Sequence, residues 1–98
     1  MSVKIIQTTP VFDNWFASLR DRSVKVRIQM RIDRAEFGNF GDCAPVGEGV
    51  SEMLVHFGCG YRVYFVQRGD EMVVLLAGGG KPTQSKDIKT ALKLARKL

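Results

Sequence analysis

The chain contains a single histidine, His56, and a short run Y-R-V-Y-F-V-Q that places Arg62 between Tyr61 and Tyr64. An imidazole titrates near neutrality and serves as general base or general acid. A guanidinium holds a phosphate through two hydrogen bonds and stabilises negative charge as it develops. Cleavage of RNA by its own 2′-hydroxyl requires such parts: an acceptor for the 2′ proton, cations around the pentavalent phosphorus, and an acid for the departing 5′ oxygen. Tyr61 and Tyr64 offer a ring to stack on a base or a phenol to donate a proton. Lys81 follows a run of glycines and is placed to reach a phosphate. G-G-G-K lacks the GxxxxGK[ST] spacing of a P-loop. Residue types leave open which of His56, Tyr61, Tyr64 and Lys81 is acid and which is base, because that depends on distances to a substrate.

The stretch from Val50 to Gly79 must position these groups. Three apolar runs, V-S-E-M-L-V-H-F, Y-R-V-Y-F-V-Q and M-V-V-L-L-A-G-G, are separated by G-C-G and R-G-D-E, the pattern of an antiparallel meander. A symmetric turn centred on Cys59 sets Phe57 opposite Tyr61, Val55 opposite Val63 and Met53 opposite Phe65 on a core face. Alternation then sets His56 opposite Arg62, Leu54 opposite Tyr64 and Glu52 opposite Val66 on the other face. That mixed face is the expected cleft. Met72 to Ala77 is almost continuously apolar and reads as a strand buried on both faces, ended by Gly78, Gly79 and Gly80.

Upstream, the β-branched run Val3 to Thr8 reads as a strand. Thr9-Pro10 starts a helix whose Phe12, Trp15, Phe16 and Leu19 form one stripe. Asp21 caps a second helix with Val24, Ile28, Ile32 and Ala35 inward, ending at Gly38. On another face of that helix stand Arg27, Arg31 and Arg34, with Lys25 to one side. Gly38 to Gly49 holds four glycines and a proline and reads as a loop crossing the sheet. A last helix follows Thr83, with Ile88, Ala91, Leu92 and Ala95 buried and Lys86, Lys89, Lys93 and Lys97 outward. The order is β-α-α-β-β-β-α.

The 98 residues suit one domain, residues 1–98, and at 45% hydrophobic they can form a core. Nothing approaches the ~20 apolar residues of a membrane span. The start M-S-V-K-I-I has no signal-peptide pattern, so a cytoplasmic protein with no membrane partner is expected. Cys43, Cys59 and His56 are too few for a standard zinc site, and two reduced thiols are expected, with no metal or other cofactor. The net charge of +5 gathers in two groups, one from Arg20 to Arg34 and one from Lys81 to Lys97. Such clusters suit a polyanion or an acidic protein.

The runs F-x-x-W-F-x-x-L-R-D, R-I-x-x-R-I-D-R-A-x-x-G-N-F-G-D, V-G-E-G-V-S-E, H-F-G-x-G-Y-R-V-Y-F and L-L-x-G-G-x-K-x-T-Q-x-K-D-I-x-x-A extend from Phe12 to Ala95. Together they resemble the RelE/ParE toxin superfamily, in particular its HigB-like addiction module killer branch. The resemblance implies an α+β, RelE-like fold: a small antiparallel sheet, a two-helix hairpin on one face and a C-terminal helix. It implies a type II toxin that cuts translated mRNA on the ribosome without a metal. It also implies neutralisation by a cognate antitoxin, commonly a helix-turn-helix protein. Arg62 matches the arginine that binds the scissile phosphate in RelE-type enzymes. Lys81 lies where such enzymes place another basic group, and His56 sits on the strand that carries catalytic lysines in some relatives. In that reading Lys25, Arg27, Arg31 and Arg34, with Tyr61, meet RNA.

The chain departs from the branch at several points. E-L-R is replaced by Glu52-Met53-Leu54, G-P-G by Gly58-Cys59-Gly60, and G-G-D-K-S-T-Q by Gly79-Gly80-Lys81-Pro82-Thr83-Gln84. Losing an arginine at Leu54 removes a cation from the site, so an attenuated toxin is expected, and Leu54→Arg is expected to raise growth inhibition. The alternatives are a ParE-like gyrase inhibitor and a non-toxic homologue that only holds an antitoxin.

Overall fold

Thr9 joins the first strand to the first helix. Its Oγ accepts the Phe12 amide at 3.1 Å, which caps the helix, and donates to the Leu76 carbonyl at 2.6 Å, which ties that cap to the sheet. Such a cap contributes about 1 kcal/mol. The computed structural model describes residues 3–98. It orders them as β1 (Ile5–Thr8), α1 (Pro10–Ser18), α2 (Arg22–Glu36), β2 (Cys43–Gly47), β3 (Val50–Val55), β4 (Tyr61–Arg68), β5 (Met72–Gly80), a 3-10 turn (Lys81–Thr83) and α3 (Gln84–Arg96). Asp21 caps α2 by accepting the Ser23 amide at 2.8 Å.

The protein is α+β, with one five-stranded sheet in the order β1-β5-β4-β3-β2. The sheet is mixed, whereas the sequence reading expects an antiparallel one. β1 runs parallel to β5, Ile5 beside Met72 through Thr8 beside Leu75. The crossover is supplied by everything between them, a pairing too remote in sequence for local patterning to reveal. The segment read as a loop also differs. Cys43–Gly47 is an edge strand on β3, with a register shift between Pro45 and Gly47. Proline lacks an amide donor and belongs at an edge or a bulge, which is where Pro45 sits.

Two cores flank the sheet. On one side α1 and α2 bring Phe12, Val24, Ile28, Ile32 and Ala35 onto Met53, Val55, Val63, Phe65, Val73 and Leu75. On the other, Ala91 of α3 with Ile88, Leu92 and Ala95 covers Val50, Tyr64, Val66, Val74, Leu76 and Ala77. Each large apolar side chain so buried contributes about 1.5–3 kcal/mol. The expected stripes of α2 and α3 are those observed.

The glycines after Ala77 do not end β5; the strand runs on through Gly80. Gly78 lies under the Trp15 ring, where a Cβ would overlap it, and Gly79 lies under the Asp87 carboxylate on the opposite side. Bare backbone at the end of β5 lets α1 and α3 close on the sheet from both faces.

Candidate functional site

The turn between β3 and β4 decides which groups meet. The ladder closes at Val55 opposite Tyr61, followed inward by Leu54–Arg62, Met53–Val63 and Glu52–Tyr64. The expected register is therefore displaced by two residues. The alternation survives: Met53, Val55, Val63 and Phe65 share the α1/α2 core, with Phe57 and Tyr61 packed against it. What fails is the pairing of His56 with Arg62. Gly58 and Gly60 both take positive φ, and the turn bonds Gly60 N to Phe57 O at 3.1 Å. The wider turn carries His56 out of the ladder, onto a groove lined by α2, while Arg62 pairs with Glu52.

Arg62 faces α3. Its Nε lies 3.5 Å from Glu52 Oε2, and both side chains are nearly closed to solvent. Gln84 of α3 donates to the same carboxylate oxygen at 3.2 Å. The guanidinium expected to hold a scissile phosphate is thus nearly buried beside an internal anion, with no hydrogen-bond partner at Nε. Tyr64 has no exposed surface, and its hydroxyl has no hydrogen-bond partner. Burial, followed by the negative charges of Glu52 and Asp87, pushes its pKa up to about 12, against the pull of Arg62. Tyr64 therefore touches no substrate as the chain is folded and holds its proton at neutral pH. Lys81 is exposed on the turn before α3. Tyr61 packs into the α1/α2 core, and its pKa is raised by a hydrogen bond with Cys59 and then by burial.

His56 borders a different place. Its Nε2 is 2.6 Å from Asp42 Oδ2, with both side chains open to solvent. The imidazole lines a groove of about 190 Å³ with Arg27, Met30, Arg31, Arg34, Val55 and Phe57. A second groove, of about 350 Å³, adjoins it and shares Arg27 and Phe57, with Arg22, Ser23 and Val26 as its other walls. The Arg27 guanidinium lies 4.9 Å from the Phe57 ring centroid, within cation–π range. No carboxylate lines either groove.

The expected RNA-contacting residues divide by what holds them. Arg27 and Arg34 are exposed on the groove. Lys25 lies over the Phe16 ring at 5.6 Å. Arg31 faces inward instead: Nη1 donates to the Leu54 carbonyl, and Nη2 to the Phe40 and Asp42 carbonyls at 3.0 and 3.3 Å. It fastens the 38–42 segment to β3. The Asp42 carbonyl also accepts the Leu54 amide at 2.9 Å. Asp42 is thereby fixed beside His56, a partnership the sequence reading omits.

Among the described residues no three His, Cys, Asp or Glu side chains gather to hold a metal, and no helix is long and apolar enough to cross a membrane. Cys43 and Cys59 are free thiols.

No family model matches the chain. Over 93 residues it is 46% identical to a Haemophilus influenzae protein described as uncharacterized, across 95% of this chain and 94% of that one. Identity of that extent over nearly full lengths places the two in one family, and this chain belongs to the family of that Haemophilus influenzae protein.

Proposed function

We propose that this chain is a toxin of the RelE/HigB kind, acting in the cytoplasm on ribosome-bound mRNA and held in check by a cognate antitoxin. The observation that carries the reading is the α2 face. Arg22, Arg27 and Arg34 stand exposed around two adjoining grooves that share an aromatic ring and contain no carboxylate. Such a surface attracts a polyanion through its phosphates and offers a platform for a base. The motifs between Phe12 and Ala95 supply the family, and the α1–α2 hairpin on one sheet face with α3 on the other is compatible with a RelE-like arrangement.

The reading includes attenuation. Leu54, in place of an arginine, stands opposite Arg62, and Glu52 neutralises Arg62 from the same face. On the Arg62 face the loss of one cation and the pairing of the second leave a phosphorane poorly stabilised; removing one such donor costs on the order of 2.7–4 kcal/mol in other enzymes.

The test is induction from a tight promoter in a host without the partner gene, with primer extension on abundant messages. Slowed growth with cuts positioned by codon supports the reading. DNA-damage signalling without cuts identifies a gyrase inhibitor instead. Neither response leaves a chain that only binds its partner.

A further inference from the structure

We propose that the proton-transfer centre of this chain is the His56–Asp42 pair on the α2 groove, with single-stranded RNA as its ligand, and not the Arg62 face of the sheet. The inference rests on the RNA-directed reading above and gives that reading its own site. Arg62 is tied to Glu52 beneath α3, while His56 opens onto a groove whose cations are free of carboxylates. The His56 side chain is 71% exposed while its Nε2 is held at 2.6 Å by Asp42. In the tautomer that donates Nε2–H to Asp42, Nδ1 is a bare acceptor.

The two adjoining grooves divide the ligand, with the ribose and its phosphate beside His56 and the neighbouring base beyond Phe57. Between them, Arg27 lies on the Phe57 ring and presents a planar cation on which a base stacks. Arg34 reaches the phosphate from α2, whereas Arg31 stays with its three carbonyls. The 2′-hydroxyl gives its proton to Nδ1 as the O2′–P bond forms. The P–O5′ bond then breaks. The imidazolium returns the proton, through a water, to the departing O5′, leaving a 2′,3′-cyclic phosphate and a free 5′-hydroxyl. Arg27 and Arg34 offset the charge that builds on the phosphorus oxygens. His56 is the catalytic residue, and Asp42 is a positioning residue that sets its tautomer.

The test uses the full chain in a cell-free translation mixture with an end-labelled message. His56→Gln, at an exposed position that tolerates the change, is expected to slow cleavage at least about 100-fold. The surviving ends of the wild-type reaction should carry a 2′,3′-cyclic phosphate. Lys89→Gln, on the outer face of α3, should cut like wild type. For Asp42, long-range ¹⁵N–¹H correlation on the sole histidine is the readout. The wild-type spectrum should show Nε2–H with bare Nδ1, and Asp42→Asn should mix the tautomers along with a rate loss of about 10-fold. Normal cutting by His56→Gln, or an unchanged tautomer in Asp42→Asn, overturns the assignment while RNA cleavage stands. A wild-type chain that cuts no translated message overturns the assignment and the proposed function together.

Discussion

Glu52 Oε2 and Arg62 Nε lie 3.5 Å apart on adjacent strands, under the amide of Gln84. Removing one partner leaves the other charge nearly buried, which costs about 3–5 kcal/mol, whereas replacing both with apolar groups is often neutral. Glu52→Leu and Arg62→Met are therefore each expected to lower the urea midpoint markedly. The double replacement should recover most of the loss. A double-mutant cycle by equilibrium denaturation checks this: additive losses would mean that the two charges are independent.

Gly78 and Trp15 provide a second check on the packing. A methyl group at Gly78 meets the indole ring directly, so Gly78→Ala must move α1 or turn the ring. Overpacking of this kind costs about 1–3 kcal/mol. The chain has a single tryptophan, so its fluorescence reports the site alone. A red-shifted emission together with a lowered denaturation midpoint is expected.

These packing relations mark what local sequence can convey. Period-two alternation put Met53, Val55, Val63 and Phe65 on one core face, and helical spacing picked out Val24, Ile28, Ile32 and Ala35; all are observed there. Alternation survives a slip of two residues, so it could not fix the register. That depended on φ angles at Gly58 and Gly60, which the residue names permit without requiring. Pro45 and Gly47 masked β2, since both weaken a strand signal while an edge tolerates them. The neutralisation of Arg62 was legible only in part: Glu52 was on the correct face, but the closing of α3 over both is a matter of tertiary packing. Asp42 reaches His56 through a loop held by Arg31, and no periodicity encodes that.

Tyr64 should make the fold sensitive to alkali. Its phenol is buried, and its pKa in the folded chain, about 12, exceeds the usual value of 10.0. The unfolded chain therefore loses that proton first as pH rises. The contribution of Tyr64 is complete below about pH 10 and is lost between about 10 and 12, to the extent of about 3 kcal/mol. Tyr64→Phe removes a hydroxyl that has no partner. At pH 7 it is expected to be neutral or slightly stabilising. Between pH 10 and 12 it should lose less stability than wild type, as followed by urea denaturation at each pH.

Arg31 is held by backbone carbonyls, unlike the exposed Arg27 and Arg34 of the same helix. Its guanidinium spans the carbonyls of Leu54, Phe40 and Asp42. Hydrogen bonds from a charged donor are worth about 1.5–3 kcal/mol, so Arg31→Gln should cost on the order of 2 kcal/mol. Arg31→Lys should fail to restore it, because an ammonium lacks the planar fork that serves several acceptors. Amide exchange at residues 39–42 should quicken in both variants. Exchange at wild-type rates would show that the loop is held by other contacts.

Arg27 and Arg34 are the complementary case. Both are exposed on α2, and neither has a carboxylate partner among the ion pairs of the described residues. Replacing both with glutamine should leave the denaturation midpoint close to wild type, since no buried group loses a partner. RNA binding should weaken instead. For single-stranded RNA each neutralised phosphate adds about 0.7 to the slope of log K against log salt, so the double variant should flatten that slope by about 1.4. Fluorescence anisotropy with a labelled single-stranded RNA decamer across a salt series measures it. An unchanged slope would place the RNA elsewhere on the molecule, the Lys86–Lys97 face of α3 being the other concentration of positive charge. A flattened slope with wild-type stability puts the polyanion on α2, beside His56.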